Sequence, residues 1–272
     1  MFYHGKVAWV TGASSGIGEA LAYELAARGA AVIISGRRRD ALEVVSERLG
    51  GQNLVLPFEA TDLDALPGVV ERAFAWKEVD FLINNAGVTQ RSLALDTSFE
   101  VYRRLLEVDF FAPLRLTQLV LPRMVVRRSG HLSVVSSMAG KVGSPLRTGY
   151  SAAKHACVGY FDSLRAEVEE AYGIGVSVIL PGAIATPIAF SALTGDGGRY
   201  DRPDPMLDAG LSPRRAAEII LDGIAEGRRE IPVGRDHELE MLRQRAEDPE
   251  PLFAILAASG AKLADARDGL AR

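Results

Sequence analysis

Cysteine is almost missing from this chain: Cys157 is the only one in 272 residues, so no disulfide can close within it and a cross-linked scaffold is excluded. Histidine is scarce too. His4, His131 and His237 show no metal-ligand spacing with one another or with Cys157, and no required metal is expected. No charge of one sign dominates, since 31 basic residues stand against 35 acidic ones for a net charge of -4. Such a chain has no field to gather phosphate backbones or anionic lipid, so neither nucleic acid nor a membrane is an expected partner. Long apolar runs are also lacking: none reaches the roughly 18 uncharged residues of a spanning helix, which argues against membrane insertion. There is no internal repeat or low-complexity tract. Met1-Phe2-Tyr3-His4-Gly5-Lys6 leads straight into a strand-like run, without the basic and apolar segments of a secretory signal. With a single cysteine, this makes a cytoplasmic location the expectation.

What is present is apolar material, 48% of the chain, enough for one substantial core and one large domain. It comes in short runs: Val7 to Thr11, Ala31 to Ser35, Leu54 to Pro57, Phe81 to Asn84, Leu132 to Ser136, Val176 to Leu180, and a short one near Ile231. Val32-Ile33-Ile34 and Val176-Ser177-Val178-Ile179-Leu180 lack polar alternation, as strands of a parallel sheet do when both faces are buried. Helical patterns fill the gaps at 17–29, 39–49, 62–76 and 213–227. The expected fold is α/β: a doubly wound, Rossmann-type, mostly parallel sheet of about seven strands with helices on both faces. Residues 1–235 are expected to form this catalytic domain. The aperiodic stretch 187–212 is read as a substrate lid, and 236–272 as a helical extension packed on the same domain or on a partner subunit.

The first strand runs into Gly12-Ala13-Ser14-Ser15-Gly16-Ile17-Gly18, a glycine-rich turn opening a helix. Small residues let the backbone approach a pyrophosphate, and the helix N-terminus presents free N–H groups and a positive dipole end to it. The second strand ends in Ser35-Gly36-Arg37-Arg38-Arg39. A carboxylate there would accept from the ribose 2′-hydroxyl of NAD, whereas a guanidinium makes charge-assisted bonds to the 2′-phosphate of NADP. NADP(H) is therefore the expected cofactor, ahead of NAD(H), with Arg37 and Arg38 at the phosphate.

Tyr150-Ser151-Ala152-Ala153-Lys154 puts a phenol and an ammonium on one helix face, where both reach a common ligand. An ammonium nearby favours the phenolate, which suits proton transfer, and lysine can also hold a ribose. With 7 tyrosines and 5 lysines, such a pair arises by chance in about one chain in eight, so it needs company. Ser136-Ser137, ending a strand just upstream, supplies a hydroxyl able to hydrogen-bond a substrate oxygen as its charge changes.

Taken together, Thr11 to Gly18, Asn84-Asn85-Ala86-Gly87, a serine, and Tyr150 with Lys154 resemble the short-chain dehydrogenase/reductase family, whose TGxxxGxG, NNAG, Ser and YxxxK motifs come in this order. The resemblance covers residues 5–235, and Pro181-Gly182-Ala183-Ile184-Ala185-Thr186 is similar to the family's PGxxxT turn. It implies an oxidoreductase that reduces a ketone or aldehyde, or oxidises a secondary alcohol, with Tyr150 as acid/base. The family's spacing of thirteen residues before the tyrosine selects Ser137 over Ser136. The resemblance also implies that Asn85, Ala86 and Gly87 line the cofactor cleft, and that Pro181, Gly182, Ile184 and Thr186 stand beside the nicotinamide. A homodimer or homotetramer built on helices around 99–128 and 150–171 is a further implication.

Two positions depart from the family pattern. Where the family has an Asp that meets the adenine amine, this chain has Glu59, followed by Ala60. Where the family has an Asn whose backbone seats a water of the proton relay, it has Asp109. If only the main-chain carbonyl matters, Asp109 serves; if the amide matters, the relay is weakened or an acid joins the proton chain. His155 is expected to point away from the catalytic face, and Cys157, Trp9 and Trp76 to be packing residues. Substrate identity is not encoded in any charge pattern, although Pro187, Ile188, Phe190, Leu193 and Met206 suggest an apolar one such as a steroid, lipid or aromatic ketone.

Overall fold

The central strands lack polar alternation because each faces two cores. In the computed structural model, which describes residues 2–269, β1 (Val7–Thr11) sends Ala8 and Val10 to one side and Val7 and Trp9 to the other. The chain continues through α1 (Gly16–Ala27), β2 (Ala31–Ser35), α2 (Arg39–Leu49), β3 (Asn53–Val55), α3 (Leu66–Trp76) and β4 (Phe81–Asn84). Then come α4 (Phe99–Leu106), a wide π-type turn at Glu107–Phe111, α5 (Ala112–Arg127), β5 (Gly130–Val135), α6 (Thr148–Tyr172) and β6 (Ile174–Pro181). α7 (Pro205–Asp208), α8 (Pro213–Ala225), β7 (Glu230–Val233), α9 (Asp236–Glu247) and α10 (Pro249–Arg267) complete it.

All seven strands are parallel, in the order β3-β2-β1-β4-β5-β6-β7. α1, α2 and α8 cover one face with Leu21, Leu25, Leu42, Ile220 and Ile224, while α3, α5 and α6 cover the other with Phe74, Leu116, Val120 and Phe161. The expected doubly wound α/β fold is thus present. The strand order reverses between β1 and β4, and in open parallel sheets the crevice at the carboxyl ends of such a pair receives ligands.

Several boundaries differ from the sequence-based expectation. β3 stops at Val55, and α3 starts at Leu66 rather than Asp62, because Asp62 instead caps a turn in which its Oδ1 accepts from Ala65 N at 3.2 Å. Pro67 then lies in the first helical turn, where a missing N–H costs nothing. In the tail, Pro249 opens α10 for the same reason, and Leu252 is buried. The stretch 187–212 carries a 3₁₀ turn at Pro187–Ser191 and α7, and is laced to the loop after β4: Leu193 N donates to Thr89 O at 2.8 Å and Arg91 N to Leu193 O at 2.9 Å. Among the described residues, no helix is long and apolar enough to cross a membrane.

Candidate active site

At the carboxyl end of β1, Thr11 Oγ1 accepts from Asn85 N and Ala86 N, each at 3.0 Å, and Asn85 Nδ2 donates back to Thr11 O at 2.9 Å. The two strands flanking the switch point are stitched together there. The amide of Asn85 therefore holds the floor of the cleft together. Gly12 to Gly18 follow, with Ser15 extended at the N-cap and Ile17 and Gly18 in the first turn of α1. Gly16 has φ of 62°, and a side chain on it would come within 3.1 Å of Thr186 Cγ2. The glycine turn and the 181–186 turn thus nearly touch, and any larger residue at 16 would force them apart.

Arg37 and Arg38 are exposed at the end of β2. Arg38 Nη2 reaches Ser14 Oγ at 3.4 Å, bringing its guanidinium to the rim of the glycine turn. Glu59 is turned toward Arg37 and Arg104, 3.8 Å from each, and its Oε1 accepts from Thr61. Three guanidinium groups against one carboxylate leave this end of the cleft cationic. Beside it, Ala60, Phe58, Ala86 and Val108 line a small cleft with Thr11.

At the other end of the cleft, β5 ends and Ser137 Oγ accepts from Ala139 N at 3.1 Å and donates to Pro181 O at 3.3 Å. Its neighbour Ser136 is directed elsewhere, donating to Lys154 O in α6 at 2.9 Å. Tyr150 and Lys154 lie one turn apart on α6, and the Lys154 ammonium is 5.6 Å from the Tyr150 ring centroid. Lys154 Nζ donates to Val135 O at 3.0 Å and stands 3.6 Å from Asp109 Oδ1. Burial opposes the ammonium, but Asp109, assisted by Tyr150, outweighs it and holds Lys154 protonated above the usual lysine range.

Asp109 is almost fully buried, in the π-type turn. Burial raises its carboxyl above the usual range, countered in part by Lys154 and by Val88 N, which donates to Oδ1 at 2.9 Å. Gly87 makes the pair possible, since a Cβ there would lie 2.6 Å from Asp109 Oδ1. The carbonyl of Asp109 is freed from the helix by Pro113, four residues on, which has no N–H to offer it. Instead it accepts from Cys157 Sγ at 2.9 Å. Cys157 is packed as expected, and burial pushes its thiol up to about 11. His155 is exposed on the far side of α6, with Nδ1 at 2.8 Å from Ser151 O.

Two features have no counterpart among the sequence motifs. Arg91 forms an ion pair with Asp204 at the cap of α7, and Arg147, just before α6, lies 3.8 Å from the same carboxylate. These side chains come from three distant, aperiodic segments, so no spacing could have announced them. The second is Glu238 in α9, whose buried carboxylate accepts from Ala183 N at 2.7 Å.

Known proteins resemble this chain in sequence and in fold. The short chain dehydrogenase family model matches residues 6–195. Dehydrogenase/reductase SDR family protein 7-like of Drosophila melanogaster is 38% identical over 270 residues, covering 96% of this chain and 82% of that one. Dehydrogenase/reductase SDR family member 7B of Mus musculus is 38% identical over 242 residues, covering 85% and 73%. Among solved structures, a short chain dehydrogenase from Burkholderia cenocepacia in complex with NADP superposes with a TM-score of 0.80 at 27% identity, over 94% of this chain and 99% of that one. A short chain dehydrogenase/reductase from Burkholderia phymatum in complex with NAD gives 0.82 at 23%, over 93% and 96%, which speaks to the fold alone. The chain belongs to the short-chain dehydrogenase/reductase family of oxidoreductases.

Proposed function

We propose that this enzyme interconverts a ketone or aldehyde and an alcohol with NADP(H), using Tyr150 as the acid/base. The observation that carries the reading is the convergence of Ser137, Tyr150 and Lys154 at the end of β5, with the ammonium anchored on Val135 O and Asp109. The residues fit a dinucleotide: small residues and helix-terminal N–H groups from Gly12 to Gly18 for the pyrophosphate, and Arg37 and Arg38 for a 2′-phosphate. Bound NADPH supplies the hydride.

Ser137 orients the substrate oxygen, and Tyr150 gives that oxygen its proton as the carbonyl carbon is reduced. Lys154 holds the cofactor ribose, and its positive charge stabilises the phenolate left behind. Asp109 acts through Lys154, as the counter-charge that keeps the ammonium in place. Oxidation of an alcohol runs through the same groups in reverse. The lid at 187–212 closes over the substrate. Its Leu193 packs with Val101, Leu105, Ala139 and Tyr150, an apolar surround that favours an apolar ketone such as a steroid, lipid or aromatic ketone. We also propose a homodimer or homotetramer assembled through α4, α5 and α6, and light scattering would read the oligomeric state.

The test is oxidation of NADPH followed at 340 nm over a panel of ketones and aldehydes, with NADP-linked oxidation of the matching alcohols. Substrate-dependent turnover is expected, and its absence across an apolar panel, with NADPH bound, would leave a nucleotide-binding protein without this activity. A NAD-linked reading rests on Glu59, which partly neutralises Arg37. A higher kcat/KM with NADH than with NADPH would favour it.

A further inference from the structure

The tail beyond β7 reads as a charged surface helix, yet one of its acids is withdrawn from water. Glu238, in the first turn of α9, is only 8% exposed. Its Oε2 accepts from Arg235 N at 2.8 Å, which is the ordinary work of a capping-box glutamate. Its Oε1 does something a cap does not require: it accepts from Ala183 N at 2.7 Å, in the turn that follows β6. The carboxylate fits only because residue 182 is glycine, where a Cβ would lie 2.7 Å from Oε1.

That turn joins the two ends of the cleft. At one end Pro181 O accepts from the Ser137 hydroxyl, and at the other Thr186 lies against Gly16 of the glycine turn. A ligand that reaches from the glycine turn to Ser137 must run along it. Val233 O takes Gly182 N at 2.8 Å, and Leu211 N and O pair with Ala183 O and Ala185 N at 3.0 and 2.9 Å. The amide of Ala183, between these backbone bonds, is the one Glu238 holds. Arg235, which pairs with Glu238, also donates to Ala209 O at 2.9 Å, just before the strand-like contact at Leu211.

We propose that Glu238 is a positioning residue for the nicotinamide end of the cofactor, and that the tail of the chain is part of the active site through it. The inference rests on the dinucleotide reading above. A charge-assisted bond from a buried carboxylate to a backbone amide fixes the 181–186 turn at the height of Ser137. Without it, the turn is free to shift at the place where the nicotinamide ring must be held against the substrate carbon. Arg37, Arg38 and the glycine turn lie outside Glu238's own bonds, and Thr186, which meets Gly16, is three residues beyond the amide that Glu238 holds.

The experiment compares Glu238→Ala and Glu238→Gln with wild type in two binding titrations, one with NADPH and one with 2′-phospho-ADP-ribose, which lacks the nicotinamide. Thermal melting and kcat are measured alongside. In Glu238→Ala the Kd for NADPH should rise roughly tenfold, with a fall in kcat, while the Kd for 2′-phospho-ADP-ribose stays within about twofold. Glu238→Gln, which keeps one acceptor for Ala183 N, should fall between, and reads the same comparison should the alanine variant not fold. Equal weakening of both ligands, or a lower melting temperature with NADPH affinity and kcat unchanged, would overturn the inference. The same pair with NADH and ADP-ribose separates it from the choice of cofactor. Wild-type protein that binds none of the four ligands would overturn the dinucleotide reading itself, and Glu238's role with it.

Discussion

The carboxylate of Asp109 and the ammonium of Lys154 face each other at 3.6 Å with both side chains almost entirely removed from solvent. Neither charge would be tolerated there alone. The pair ties the π-type turn to α6 behind Tyr150, the proposed acid/base.

Replacing Asp109 by Asn keeps an acceptor for Val88 N and removes the counter-charge. Lys154 loses its main upward influence, so its deprotonation should move to lower pH. The basic limb of the kcat/KM profile should shift in the same direction, and stability at neutral pH should fall by about 1–3 kcal/mol. A pH-rate profile and thermal melts of both proteins check this. An unmoved basic limb would mean that Asp109 does not act through Lys154.

Cofactor choice is predicted to rest on Arg37 and Arg38. The double substitution to serine should lower kcat/KM for NADPH by about ten- to a hundredfold while changing that for NADH by less than about threefold. Because both guanidinium groups are exposed, the wild-type KM for NADPH should also rise with ionic strength. Steady-state kinetics with each cofactor at two salt concentrations read both effects.

Acid should destabilise the fold through His131. Its Nε2 lies 3.0 Å from Ser177 Oγ, whose own proton goes to Arg228 O at 2.7 Å, so Nε2 is the donor there. Burial brings its pKa down to about 4. Below the unfolded value of 6.5 the unfolded chain takes up a proton that the folded chain refuses until about pH 4. This contribution is therefore complete above pH 6.5 and is lost as pH falls toward 4, by about 3 kcal/mol. Denaturant melts at several pH values should show a shallower acid decline in His131→Gln than in wild type.

The lid is expected to be latched by Asp204. Burial works against this carboxylate, but Arg91 and Arg147 hold it below the usual range, so the latch is charged at neutral pH. Asp204→Ala leaves two guanidinium groups facing each other and should favour opening by about 2 kcal/mol. Limited proteolysis within 187–212 should then run at least about tenfold faster, with a higher KM for the carbonyl substrate and an unchanged KM for NADPH.

Much of the fold and of the candidate site is legible in the sequence. Val32-Ile33-Ile34 signals a doubly covered strand by its lack of alternation, Tyr150 and Lys154 gain meaning from the company of Ser137 and the glycine turn, and 181–186 is read through the family resemblance. The interplay of Asp109 and Pro113 is readable in principle, four residues apart, though not the thiol of Cys157 that takes up the released carbonyl. Arg91, Arg147 and Asp204 are not readable, because an ion pair across 113 residues leaves no local trace. Glu238 is hidden for a different reason: at the start of a helix a glutamate is ordinary, and only its partner in a distant turn makes it exceptional. The partial burial of Arg91 and Arg147 beside the 187–212 stretch likewise depends on chain crossings that periodicity does not report.

The central claim is that Tyr150 hands the proton to the substrate oxygen. It is tested most directly by Tyr150→Phe, assayed by NADPH oxidation at 340 nm with a ketone that wild-type protein reduces, and by NADPH titration of the same variant. The expected result is a loss of kcat of at least about a thousandfold with the Kd for NADPH changed by less than about threefold. Turnover by Tyr150→Phe at the wild-type rate would contradict it.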